Sequence, residues 1–190
     1  KTTLALHVVK EAQAFGPVIY ADFEHSLRAQ QHYIKNLGVN LDRTKFIHLE
    51  PNNFEDGAAQ IGKSLLMVKP PLVVIDSLSA MIPKAMIEGD ADKVAQIGKQ
   101  AMLTSNFLNW ITKYLGKYNT ALLIINQKRN VIKTDRYEPG PNETTSGGKA
   151  MRFYASIRID MKVKERDTIE VDNNLTGIKE KKTVNQNVKV

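Results

Sequence analysis

Residues 71–79 read PLVVIDSLS, a short apolar run rich in β-branched residues that closes on an acid, Asp76. A run of this kind, with no polar alternation, is the pattern of a strand covered on both faces, as in a parallel sheet flanked by helices. Two neighbours have the same form. GPVIYADFE (16–24) ends in Asp22 and Glu24, and NTALLIINQ (119–127) ends in Asn126 and Gln127. KFIHLEP (45–51) reads as a further strand. Helical segments alternate with these runs. Residues 2–13 place Leu4, Val8 and Ala12 on one face, and SLRAQQHYIKNLGV (26–39) is opened by Ser26 and stopped by Gly38. FEDGAAQIGKSLLMV (54–68) is a helix, and a long amphipathic helix falls within 91–118. YASIRIDMKVKER (154–166) alternates like a strand with one exposed face, and Asn173, Asn174 and Gly177 suit hairpin turns. The expected fold is α/β: a mostly parallel central sheet, helices on both faces and antiparallel strands near the C-terminal end.

The 190 residues are 42% hydrophobic and 25% charged, ordinary values for a globular chain that folds as one domain over residues 1–190. The absence of cysteine excludes disulfides, zinc–cysteine sites and thiol catalysis, and it fits a cytoplasmic protein. No apolar run is long enough to span a bilayer, so no membrane partner is expected. The four histidines are scattered without metal-ligand spacing. The net charge of +7 is unevenly spread: residues 128–166 hold ten basic residues against five acids. That face suits a polyanion, although on charge alone a solvated basic surface is an equal reading.

In parallel sheets, ligands sit at the carboxyl ends of the strands. Three strands here end in polar groups: Asp22 and Glu24, Asp76, and Asn126 and Gln127. Strand-end polarity is common, but three coincidences at one edge mark a candidate site. Lys1-Thr2-Thr3 leads straight into a helix, as do the last residues of a phosphate-binding GxxxxGK[ST] loop, in which Lys reaches the β- and γ-phosphates and a hydroxyl holds Mg²⁺. Alone, this tripeptide reads better as an exposed lysine. VVID (73–76) has the form of a magnesium-orienting strand end, a pattern frequent by chance. Glu24 could position an attacking water, or could simply favour the N-terminus of the helix from Ser26.

Several segments together resolve these ambiguities. VVIDSLSAMIPKAMIEG (73–89), LLIINQKR (122–129), ETTSGGKAMRFYASIRID (143–160) and YADFEHSL (20–27) followed by LGVNLDR (37–43) closely resemble the matching segments of bacterial RecA recombinases, in order and at nearly the same spacing. They cover most of residues 1–166, and the combination of PKAxIEG, NQ and TTxGGxAxxFYAS is highly specific. The resemblance implies a RecA-like P-loop NTPase fold that binds ATP and Mg²⁺. It makes Lys1 and Thr2 the phosphate lysine and metal-binding hydroxyl, with Thr3 beside them. Glu24 becomes the catalytic carboxylate, Asp76 a magnesium-orienting acid acting through water with Ser77 next to it, and Gln127 the sensor of the γ-phosphate. Tyr33 would stack on adenine if a short insertion after Glu24 is absorbed early.

The resemblance further implies two DNA-binding loops, around 88–95 and at 128–148; their few apolar anchors lead us to expect both to be mobile without DNA. Ser105, Arg129, Thr145, Gly147, Gly148 and Lys149 would contact DNA backbones. Ile132 would wedge between bases or tuck onto the core. Arg152 and Phe153 would reach a neighbouring subunit, with a core aromatic as the other reading of Phe153. The implied activity is ATP-dependent strand exchange by a homo-oligomeric filament on single-stranded DNA pairing with homologous double-stranded DNA, in a bacterial or phage-infected cytoplasm. A decayed DNA-binding accessory protein and a RecA-fold helicase are the rivals; the intact set of polar residues and the GG-containing loop disfavour them.

This chain departs from the family in places. The family's acid that reads adenine has no clear match, Arg28 occupying the nearest position; Gln100, Met102 and Asn109 stand where basic residues are expected, and the second loop is slightly longer. These differences suggest a divergent, phage-like member. The family's phosphate-loop glycines and oligomerising segment are expected upstream of Lys1, and its C-terminal region beyond Val190, so this segment alone is expected to hydrolyse ATP poorly.

Overall fold

The computed structural model describes residues 1–89, 93–130, 143–147, 150–172 and 179–189. In chain order the elements are α1 (Thr2–Ala12), β1 (Val18–Asp22), a 3-10 turn (Arg28–Gln30), α2 (Gln31–Asn36), β2 (Phe46–Leu49), α3 (Phe54–Val68), β3 (Leu72–Asp76) and a second 3-10 turn (Leu78–Ala80). There follow α4 (Lys84–Ile87), α5 (Lys93–Tyr118), β4 (Ala121–Ile124), β5 (Lys128–Asn130), β6 (Glu143–Thr145), α6 (Ala150–Tyr154), β7 (Lys162–Asp172) and β8 (Lys179–Lys189). Lys1–Tyr154 form one compact unit and Ala155–Val190 another.

The first unit is built on a sheet ordered β2-β1-β3-β4, every pair parallel. Strands β1 and β3 are buried at every position, which is why neither shows polar alternation. Their side chains nonetheless sort by parity. Ile19, Ala21, Phe23, Val73 and Ile75 pack with Ile61 and Leu65 of α3 and Phe107, Leu108 and Ile111 of α5. Val18, Tyr20, Leu72 and Val74 pack with Ala5, Leu6 and Val9 of α1 and Ile34 of α2. The chain leaves β1 to form β2 on one side and returns through α3 to form β3 on the other. The crevice where the order reverses therefore lies between the carboxyl ends of β1 and β3.

Helix α3 matches its sequence reading. Asn53 caps it by accepting from the Asp56 N–H, and Lys69 closes it in a left-handed conformation (φ 49°) ahead of Pro70 and Pro71. Helix α1 differs by a rotation. Its buried stripe is Ala5, Leu6 and Val9, while Val8 is 38% exposed. Thr2 lies one turn before Leu6 on that stripe, so seating the stripe on the sheet carries its hydroxyl to the sheet's edge. The helix read across 26–39 is a 3-10 turn plus the short α2.

Two further corrections concern the second half. The ends of the expected loop 128–148 pair antiparallel as β5 and β6, with Arg129 opposite Thr144. The strand expected from residue 154 begins only at Lys162; Ile157 and Ile159 before it are exposed, so alternation there reports no covered face. β7 and β8 pair antiparallel over eleven residues each.

Candidate active site

The polar residues read from the strand ends come together. The Thr2 hydroxyl donates to Asp76 Oδ2 at 2.8 Å, and the Tyr20 hydroxyl donates to the same oxygen at 2.8 Å. The register that sets Asp22 beside Asp76 also brings the end of β1 to Ser77, whose hydroxyl donates to Glu24 Oε1 at 2.6 Å. Gln127 Nε2 approaches that same Glu24 oxygen at 3.4 Å, and the Lys1 ammonium donates to the Asn126 carbonyl at 2.6 Å. Five of the expected residues, Lys1, Thr2, Glu24, Asp76 and Gln127, thus share one sheet edge with Ser77. The Asp76–Ser77 peptide bond is cis.

Charge in this crevice is unbalanced. Burial lifts the Asp76 carboxyl above the usual carboxylate range, and Glu24 and Asp22 push the same way, against the hydrogen bonds from Tyr20 and Thr2. Burial and Asp76 raise the Tyr20 hydroxyl, so it remains a donor. A hydroxyl and a carboxylate 2.8 Å apart, in a site crowded with negative charge, form a hard-oxygen donor set that fits Mg²⁺.

Tyr33 joins this edge from α2: its hydroxyl and that of Thr3 are 3.0 Å apart. Ser105 lies on α5, and among the described residues no hydrogen bond joins it to the edge cluster. Gly147 is buried at φ 86°, where an added Cβ would stand 2.9 Å from Leu78 Cδ2 and 3.0 Å from Thr104 Cγ2. Asn126 Nδ2 donates to the Ser146 carbonyl at 2.9 Å, tying the end of β4 to the segment ahead of α6. Arg129 and Thr145 sit on the paired β5 and β6. Ile132, Gly148 and Lys149 lie outside the described residues. Arg152 is exposed, and Phe153 is 84% exposed, which removes the core reading of that aromatic.

Sequence reading missed Tyr20 as a partner of Asp76. The signal was present, since Tyr20 precedes Asp22 by two positions and therefore shares its face. It also missed the surroundings of Asp22. Burial opposes the Asp22 charge, but His48 and the backbone N–H groups of Leu27 and Ser26 more than offset it, and the carboxyl titrates below its ordinary range.

An open parallel sheet with helices on both faces, and a helix N-terminus brought to the crevice where strand order reverses, defines an α/β protein of the RecA-like class. The RecA N-terminal domain family matches residues 1–190. The chain is 40% identical over 184 residues to Protein RecA of Paracoccus denitrificans, covering 94% of this chain and 49% of that protein. It is 40% identical over 179 residues to Protein RecA of Fusobacterium nucleatum subsp. nucleatum, covering 93% and 44%, and 39% identical over 174 residues to that of Cereibacter sphaeroides, covering 89% and 48%. The chain belongs to the RecA family, and it spans about half the length of the curated relatives it matches.

Proposed function

We propose that the complete polypeptide carrying this chain is an ATP-dependent DNA strand-exchange recombinase, acting in the cytoplasm of a bacterium or of a phage's host. It forms a homo-oligomeric filament on single-stranded DNA and pairs that strand with homologous duplex. Residues 1–190 supply the ATPase core, with Arg152 and Phe153 offered to a neighbouring subunit. Lys1 holds the nucleotide phosphates, Thr2 and Asp76 hold Mg²⁺, the latter through water, and Thr3, Ser77 and Tyr33 line the nucleotide site. Bound there, the ion would neutralise charge on the β- and γ-phosphates. Ser105, Arg129, Ile132, Thr145, Gly147, Gly148 and Lys149 contact DNA, largely through its backbone, leaving sequence to be read by base pairing between strands.

The observation that carries this reading is the convergence on Glu24. Its Oε1 accepts from Ser77 and lies 3.4 Å from the Gln127 amide. Freed from these donors, that oxygen can orient water for in-line attack on a γ-phosphate. Gln127 immediately precedes Lys128, where β5 begins, so an amide that turns from Glu24 to a nucleotide moves the DNA-binding segment with it.

In the complete polypeptide, Glu24→Gln is expected to lower DNA-stimulated ATP turnover about 10²–10⁴-fold while ATP-dependent binding to single-stranded DNA persists. Turnover at the unaltered rate would remove Glu24 from catalysis.

A further inference from the structure

On the opposite flank of β1 from Asp76, three ligand-type side chains meet without an assigned role. Asp22, His48 and Glu50 each offer one ligand atom, all within 4.8 Å of one another. The parity that puts Tyr20 and Asp22 on one face puts His48 there too, because β2 runs parallel with Tyr20 opposite His48, and Glu50 follows just past the end of β2. His48 Nε2 lies 3.5 Å from Asp22 Oδ2 and 4.0 Å from Glu50 Oε1. Two ligands held at ~2.0–2.2 Å by a tetrahedral ion stand roughly 3.4 Å apart, so little movement is needed to close this set around a cation.

A second, independent observation points into the same place. Asp22 is fully buried, yet its Oδ1 has no hydrogen-bond partner, and His48 Nε2 has only the 3.5 Å approach to the other carboxylate oxygen. Buried polar atoms left unpaired are costly, and one common reason for them is an ion. Access exists as well: a groove of about 580 Å³ is lined by His48 and Glu50, with the basic side chains Arg28, Lys35 and Arg43 on its wall.

We infer that Asp22, His48 and Glu50 form a binding site for a divalent cation of the zinc type, separate from the Thr2–Asp76 edge. The imidazole selects against Mg²⁺ and Ca²⁺, which take oxygen ligands, and favours Zn²⁺. Three protein ligands leave a coordination position open to the groove. The cation need not displace Arg28, which pairs with Glu50 through Oε2 and leaves Oε1 facing His48. Leu27 donates its backbone N–H to Asp22 Oδ2 at 2.9 Å, so occupancy would clamp β1, β2 and the turn that leads from Glu24 towards Tyr33.

The test is Zn²⁺ titration by calorimetry on the untagged, chelator-stripped complete polypeptide, in millimolar Mg²⁺ to occupy the harder-oxygen site. Saturable one-to-one uptake is expected, with a rise in melting temperature. His48→Gln and Glu50→Gln should each weaken it by about tenfold or more, since losing a ligand should cost no less than losing a group that orients one. His7→Gln, on the exposed face of α1, should leave it unchanged. If His48→Gln fails to fold by circular dichroism, Glu50→Gln carries the comparison. No uptake by the unaltered protein, or unchanged uptake in either folded ligand variant, would overturn the assignment.

Discussion

Asp22 and Asp76 are chemically identical side chains in register on neighbouring strands, and their surroundings pull them apart. Asp76 is buried beside other carboxylates and titrates high, whereas Asp22 is buried among donors and titrates low. A carboxyl depressed in the folded state stabilises the fold at pH values above the ordinary carboxylate range. That contribution disappears as pH falls through the native value. In chelator-treated protein, Asp22→Asn is therefore expected to cost about 2 kcal/mol at neutral pH, the worth of hydrogen bonds to a charged group. It should also flatten the loss of stability on acidification, as measured by urea unfolding across pH 2–6. Parallel pH profiles for the two proteins would show that Asp22 is not a source of acid sensitivity.

Helix α3 packs against Phe23, the residue before Glu24. Gly57 and Gly62 lie on its buried face, and each makes room for an aromatic ring. A Cβ at Gly57 would fall 2.2 Å from Phe23 Cζ, and one at Gly62 would fall 2.7 Å from the Trp110 ring. Phe23 is buried in the cluster between α3 and the sheet and directly precedes Glu24, so a displaced ring moves the carboxylate. Gly57→Ala is expected to cost about 1–3 kcal/mol by overpacking. It should also depress ATP turnover of the complete polypeptide more than nucleotide affinity. Unchanged stability together with unchanged turnover would break this link between packing and the site.

For the polypeptide as a whole, the apolar runs ending at Asp22 and Asp76 disclosed the layered α/β architecture, because only strands covered on both faces can dispense with polar alternation. The same strand ends disclosed most of the candidate site. The end of β2 was overlooked: His48 in the strand and Glu50 just beyond it are two residues apart, a spacing that means nothing until Asp22, remote in sequence, is laid beside them. The rotation of α1 was also hidden, since Leu4 and Val8 are as apolar as Leu6 and Val9, and tertiary seating on the sheet decides which stripe is buried. Ile157 and Ile159 misled for the converse reason: alternation marks a strand only where something covers one face.

The proposed function rests on a single coupling, in which polar groups at the ends of β1, β3 and β4 would hold a nucleotide and the segment after Gln127 would respond to it. The direct measurement is ATP hydrolysis by the complete polypeptide in Mg²⁺, with and without single-stranded DNA. Turnover should rise severalfold when the strand is added. A rate that is the same in its presence and absence would contradict the coupling.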